Sequence, residues 1–409
     1  MAHHQINNLS LIVRCIALLP GFLLACGEDE GVSFGDDNEP TSVVPVDLIG
    51  DYLGERELEY TTAYAEINDI ALEAAATQRT LTDMAGELQA ELAEFEPDLF
   101  AGLWIEREPE FRIIVAMTGD EQEGLAAIDL ATAGSLSPLR KVIEPQSADV
   151  SLRDMISAQE DITSRSDQFR IDSTSDIDVT TGRVILFVAD LEDVARMRAV
   201  NPVPDLVAVV HDAEPEKDDT WDSNHGLSSC TSGFVVMNTS TAAKYMTTAG
   251  HCTTGGITYS GKTLSYVGRR NGSNSDLQWR SVSGVTLQNR AYQGGGVHTT
   301  ILATKHRNNM VVNDYVCRTG KASSTNTMSC SFKITTTSRD PGVGYNGTFI
   351  RVKRTNSTVD PAAPGDSGMG WKYASTAFGW HKGSSSSRAT FMAQNYASDS
   401  GLAVWAGGI

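Results

Sequence analysis

From Trp221 to Ile409 the chain contains no glutamate, although ordinary usage would place about ten in a stretch that long. The same stretch carries 18 Lys and Arg against 7 Asp, a net of +11. Residues 1–220 carry 14 basic and 45 acidic side chains, a net of −31. The overall −20 is therefore no sign of a uniformly acidic protein; it points to two units of opposite charge that attract each other. The basic side chains are dispersed and lack an aromatic-interleaved motif, so no nucleic-acid partner is expected. Cysteine is scarce, with six residues, no C-x-x-C and no His pair beside them, which argues against metal. No cofactor is expected. Long apolar runs are also missing, and the best of them, Cys15–Leu24, is too short to span a bilayer as a mature helix.

That run follows Arg14 and ends in Leu23-Leu24-Ala25-Cys26, so residues 1–25 read as a signal peptide. The ending is similar to a bacterial lipoprotein signal, in which Cys26 would be the lipidated first residue; a plain cleaved signal is the alternative. Residues 26–50 are acidic and poor in apolar side chains, as a flexible tether would be. The expected location is secreted or in the cell envelope, with membrane contact only through that lipid.

Residues 51–211 read as a small acidic α/β domain. A helical pattern covers Asp51–Pro97, with Ile67, Ile70, Ala71 and Ala74, then Leu81, Met84, Leu88 and Leu92, on one face. Phe111–Ala116, Arg183–Val188 and Leu206–His211 read as strands, and Asp190–Ala199 as a helix. Its carboxylates are scattered and suggest no catalysis. Residues 212–220, with Glu214, Pro215, Glu216 and Lys217, read as an exposed linker open to proteolysis.

Residues 221–409 are rich in Gly, Ser and Thr. Short alternating runs at Gly233–Met237, Thr258-Tyr259, Leu264–Gly268, Asp314–Val316, Phe349–Val352 and Ala377–Trp380 predict an all-β barrel or sandwich. Cys230, Cys252, Cys317 and Cys330 form an even set within this half and read as disulfides. Two motifs carry chemistry, Thr247-Thr-Ala-Gly-His251-Cys252 and Gly365-Asp-Ser367-Gly368. A serine hydroxyl becomes a useful nucleophile when an imidazole takes its proton, and the imidazole needs a carboxylate on its other nitrogen.

Together, and in this order, the motifs resemble the chymotrypsin-like serine peptidases, most of all the bacterial branch of streptogrisins and alpha-lytic protease. The resemblance covers roughly residues 221–409 and implies two six-stranded antiparallel β-barrels. It also implies a carboxylate between His251 and Ser367, which leaves Asp276, Asp314, Asp340, Asp360 and Asp366. Asp276, where a turn enters the strand of Asn274–Trp279, matches the family's third triad member best. The family's disulfides imply Cys230–Cys252, worth about 3 kcal/mol on an entropic model, and Cys317–Cys330. Its oxyanion hole implies the backbone N–H groups of Gly365 and Ser367. Its internal arginine implies an Arg318–Asp366 ion pair. Met369 departs from the pattern by replacing the usual glycine, and a side chain there could crowd the wall behind the nucleophile.

Gly379-Trp-His381-Lys-Gly383 lies where the family forms its substrate-pairing edge, and a histidine at His381 resembles the glutamyl endopeptidases. A specificity pocket of His381, Gly383 and Ser384 is the corresponding expectation, with Glu preferred before the scissile bond. The absence of glutamate fits, because such an enzyme would resist its own activity. The alternative is that His381 packs into the wall. The acidic domain reads as a prodomain that masks the protease and is its intramolecular partner, the mature enzyme being a monomer acting on proteins or peptides. The rival reading is a non-catalytic binding protein on a protease fold.

Overall fold

Helix-forming side chains open the described part of the chain and give way to β-branched and glycine-rich strands. The computed structural model describes residues 55–212, 217–218, 230–259, 262–294, 297–321 and 325–407. The signal peptide, Cys26, the tether and Glu214 and Glu216 lie outside the described residues. The described residues all belong to one compact unit. Among the described residues no helix is long and apolar enough to cross a membrane.

The single helical pattern expected before Pro97 is two helices, α1 (Glu55–Asn68) and α2 (Leu72–Phe95). They part at Asp69, which takes a left-handed φ of 52°. The first sheet contains β1 (Phe100–Glu106), β2 (Arg112–Met117) and β3 (Ile143–Ser147), with α3 (Glu121–Ala131) between β2 and β3. Helix α4 (Leu152–Gln168) leads to a second set, β4 (Ser173–Asp178), β5 (Arg183–Val188) and β6 (Val207–His211). Between β5 and the parallel β6 runs α5 (Leu191–Val200). Side chains of Asp120, Ser151 and Asp190 cap α3, α4 and α5 by accepting a first-turn N–H. In β2 both faces are buried. Ile113, Val115 and Met117 join one apolar cluster, while Ile114 and Ala116 face Trp104 and Val312 in another.

The rest is β-structure. A two-residue strand, β7 (Lys217–Asp218), comes first. Next come β8 (Val235–Asn238), β9 (Lys244–Thr248), β10 (Ile257–Tyr259), β11 (Lys262–Gly272) and β12 (Ser275–Val282). A hairpin, β13 (Arg290–Gly294) with β14 (Val297–Thr300), and the short β15 (Ala303–Thr304) connect to the second half. There lie β16 (Tyr315–Arg318), β17 (Ser329–Asp340), β18 (Phe349–Arg354), β19 (Gly370–Tyr373), β20 (Thr376–Ser384), β21 (Arg388–Ala393) and β22 (Leu402–Val404).

Two sets of six strands result. The order β16-β19-β20-β21-β18-β17 closes on itself through β16–β17 pairing and is a barrel. The order β10-β11-β12-β9-β8-β22 is antiparallel throughout, but among the described residues its ends are not paired to each other. Of the two barrels expected, one is thus closed by hydrogen bonds. Trp380 joins the two sets: it packs with Phe234, Leu277 and Met392, and its indole N–H donates to Thr247 Oγ1 at 2.9 Å.

The acidic part is built into this frame. Strand β4 pairs with β17, Asp176 opposite Arg339 and Ser175 opposite Asp340, so β4-β5-β6 extends the barrel sheet. Asp176 accepts from Arg339 at 3.3 Å and from Arg351, and both guanidiniums lie near the Phe187 ring. Arg388 holds both oxygens of Asp212, at 3.0 and 2.9 Å. Tyr60 and Tyr64 of α1 belong to the same apolar cluster as Val316, Phe332 and Trp371. The linker expected to be exposed from residue 212 starts differently: Asp212 is buried, because its carboxylate is neutralised by Arg388.

Candidate active site

Three side chains from three separate elements meet in a line of hydrogen bonds. His251 follows β9 in a turn fixed by the Cys230–Cys252 disulfide and by Cys252 N–H donating to Ala249 O. Asp276 is the second residue of β12, reached through a hairpin in which Ser273 takes a left-handed φ of 55°. Ser367 sits in the loop between β18 and β19. His251 Nδ1 is 2.7 Å from Asp276 Oδ2, and His251 Nε2 is 2.9 Å from Ser367 Oγ. The His251 backbone N–H donates to Asp276 Oδ1 at 2.8 Å, so one carboxylate fixes both the ring and its backbone.

Close approach requires glycine at two places. A side chain on Gly250 would meet Asp276 Oδ1 at 2.9 Å and Arg270 O at 2.7 Å. Gly368 has φ +89°, and a Cβ there would lie 2.5 Å from Ala249 N. The serine loop is tied on both sides. Gly368 N–H donates to His381 O at 2.9 Å, and Thr231 N–H donates to Ser367 O at 2.8 Å. Among the described residues neither the Gly365 nor the Ser367 N–H donates to a protein acceptor.

Asp276 is only 1% exposed. Burial pushes its carboxyl up, but the His251 charge and hydrogen bonds, with Lys382 beyond, hold it below the usual carboxylate range. Two contacts here had no signal in the sequence: Met392 Sδ accepts the Asp276 N–H at 3.1 Å, and Lys382 contributes charge from the strand that carries His381. Ser367 is fully buried, so its hydroxyl is covered in this state of the chain.

The Arg318–Asp366 pair is not formed as a contact. Arg318 donates instead to the carbonyls of Pro361, Thr325 and Thr327 at 3.1–3.2 Å and to Asp360 O. Asp366 accepts from the backbone N–H groups of Lys321 at 2.7 Å and Ala363 at 2.9 Å. Carbonyl groups suit the guanidinium fork and amides suit the carboxylate, so each charge is satisfied without the other. Burial pulls the Arg318 guanidinium down, and Asp366 and Asp360 partly offset this from a distance. Met369 is buried among core side chains, and its N–H donates to Asp366 O at 2.9 Å.

His381 is fully buried in β20, its ring tilted against Trp371 with centroids 6.2 Å apart. Gly383 and Ser384 follow it, and their edge pairs antiparallel with β7, Gly383 opposite Asp218 and Ser384 opposite Lys217. Both cysteine pairs are disulfides, the second being Cys317–Cys330.

No protein-family model and no curated protein matches the chain. Solved structures do: Thermobifida fusca protease A is 23% identical over 44% of this chain and 92% of its own, with a TM-score of 0.34. A glutamic acid-specific serine protease, described as using a histidine triad in substrate binding, is 22% identical over 43% and 93%, with a TM-score of 0.35. A Nocardiopsis protease is 20% identical over 43% and 92%, with a TM-score of 0.33. A Cellulomonas bogoriensis chymotrypsin is 24% identical over 43% of this chain and 90% of its own, with a TM-score of 0.32.

Proposed function

We propose that the chain is the precursor of a secreted serine endopeptidase that works through an acyl-enzyme. The observation that carries this reading is the unbroken line Asp276–His251–Ser367. His251 Nε2 takes the Ser367 proton as Oγ attacks the substrate carbonyl, and Asp276 holds the Nδ1 tautomer and balances the imidazolium. The amides of Gly365 and Ser367 receive the developing oxyanion, a role worth about 3–4 kcal/mol per donor in comparable sites. The imidazolium then gives its proton to the leaving amine, and water repeats the sequence on the ester. Labelling by a fluorophosphonate tests this. Labelling lost in Ser367→Ala supports it, and an unlabelled wild type, once cut free, favours the non-catalytic binding protein.

The acidic region acts as a prodomain. Ser367 is covered, and β7 occupies the edge that a substrate strand would take. The self-cut is assigned to the stretch 212–220, which holds Glu214 and Glu216. N-terminal sequencing of the released enzyme checks this, and Ser367→Ala should stay uncut.

An acidic residue before the scissile bond, Glu above all, is the specificity we assign, supported by His381 in β20 and by the glutamate-free enzyme half. Turnover after Phe or Leu equal to that after Glu would sink it. Cys26 as a lipid anchor supports a precursor held at the envelope until the cut frees it.

A further inference from the structure

Asp276 is buried, and as a general base His251 must be neutral at rest, so the triad holds a net negative charge away from water. A carboxylate so placed is costly unless a cation lies near it. Lys382 is the cation at hand: it sits in β20 between His381 and Gly383 and is 4% exposed.

Strand alternation and a seat on Tyr345 aim this lysine. His381 turns its ring to Trp371, whereas Trp380 packs with Phe234, Leu277 and Met392 between the two strand sets. Two residues beyond Trp380, Lys382 falls on that second face. It is also the extra residue of a bulge, since Phe391 and Thr390 of β21 stand opposite His381 and Gly383. Its Nζ lies 4.3 Å from the centre of the Tyr345 ring. Tyr345 is in turn tied to the hairpin that presents Asp276. Its hydroxyl donates to Asn271 Oδ1 at 2.5 Å, and Asn271 is opposite Asp276. Ser273 N–H donates to Gly344 O at 2.6 Å, and Asn346 N–H to Ser273 O at 3.1 Å. Other charges around Asp276 are engaged elsewhere or lie outside. Arg270 of β11 reaches Asp399 at 3.5 Å, Lys244 of β9 sits over the Trp405 ring, and Arg388 of β21 holds Asp212. Arg280 donates to the carbonyls of Thr253, Gly255 and Leu264, and Lys262 and Arg269 are exposed.

We propose that Lys382 is a positioning residue of the triad: its ammonium, seated on Tyr345, offsets part of the Asp276 charge that His251 feels. This rests on the catalytic reading above. A buried carboxylate acting alone stabilises the imidazolium and keeps the ring protonated, and so unable to act as a base, up to higher pH. With Lys382 near the carboxylate, the ring returns to its neutral form at lower pH and can take the Ser367 proton there. Lys382 acts in this through Asp276, whose carboxyl it helps to hold ionised.

The pH profile of kcat/KM on a peptide tests this. Lys382→Met is expected to move the acid limb up by about 0.5–1 unit, lowering kcat/KM about 3–10-fold below the limb and leaving the alkaline plateau in place. Lys382→Arg should keep the parent limb. Tyr345→Leu, which leaves the charge but removes its seat, should shift the limb less and in the same direction. An unmoved limb in Lys382→Met overturns the proposal, whether or not the plateau falls, and so does a limb that moves as far in Lys382→Arg. Should Lys382→Met not fold, Tyr345→Leu decides alone, an unmoved limb again overturning the proposal. If the wild type cleaves nothing, the catalytic reading fails. The role of Lys382 is then read from the His251 ring titration by NMR in full-length Ser367→Ala. Its midpoint should rise when Lys382→Met is added, and equal midpoints overturn the proposal.

Discussion

Asp276 accepts two N–H groups from one residue, so its loss removes both the ring partner and the backbone tie of His251. Asp276→Asn keeps the shape but offers an amide where an acceptor is needed, favouring the wrong tautomer. It is expected to reduce kcat by about 10⁴-fold, read from peptide turnover. Ser367→Ala and His251→Ala should each cost about 10⁶-fold, and the double variant no more than either. The Asp276 carboxyl is held below its ordinary 3.8, so it binds protons less readily folded than unfolded. Its contribution to stability is thus present above that value and is lost as pH falls through the lower, folded one. In a Ser367→Ala background, thermal unfolding should show wild-type Asp276 ahead of Asn at pH 5–7, the gap closing below pH 3.8.

At the level of elements, the seam between β17 and β4 concentrates charge. Asp176→Ala would remove the carboxylate that Arg339 and Arg351 both hold in a buried place. Loss of a buried pair in this way costs about 3–5 kcal/mol, measurable by denaturant unfolding. Asp340, on the same seam, is only 6% exposed, and burial pushes its carboxyl up to about 6, with Asp167 and Asp176 adding to the rise and Gly342 and Arg339 opposing it. A raised carboxyl favours the folded state only while protonated. The penalty therefore grows as pH rises from 3.8 to about 6, reaching about 3 kcal/mol. Asp340→Asn, which still accepts from Gly342, is expected to be the more stable form at pH 7.5 and to match the parent below pH 4.

The seam also marks where sequence reading stops. Arg183–Val188 is legible as a strand because its apolar run is continuous, and Asp190 announces α5 as a cap. The β17 strand offers little apolar signal beyond Phe332 and Ile334, since its far end is Thr, Ser, Arg and Asp satisfied by β4 and α4. His251 and Ser367 are legible because their neighbours are glycines that the turns require. The Arg318 partners are not: which carbonyls converge on a guanidinium depends on loops that close from residues 325–327 and 360–361.

For the molecule as a whole, opposite net charges suggested two parts held by a long-range field that salt would weaken. The contacts that hold them are of another kind. They comprise a shared sheet, a shared apolar cluster around Tyr60 and Tyr64, and ion pairs with little solvent access such as Arg79–Asp314. Burial works against the Arg79 charge, yet Asp314, Tyr373 and Asp83 hold its guanidinium above the ordinary range. Such pairs are screened far less than exposed ones. Ser367→Ala nicked by a foreign protease in residues 213–216 should therefore co-elute as one species in gel filtration even at 1 M salt. Separation at that salt would show that the surface field carries the association after all.

Strand β22 pairs with β8, Leu402 opposite Asn238, so the sheet that positions His251 and carries Asp276 takes an edge strand from residues 402–404. During synthesis, at about 5–20 residues per second, the acidic region has emerged and can fold well before that strand leaves the ribosome. The order of translation thus leaves the Asp276–His251–Ser367 line unassembled until the acidic region has already emerged.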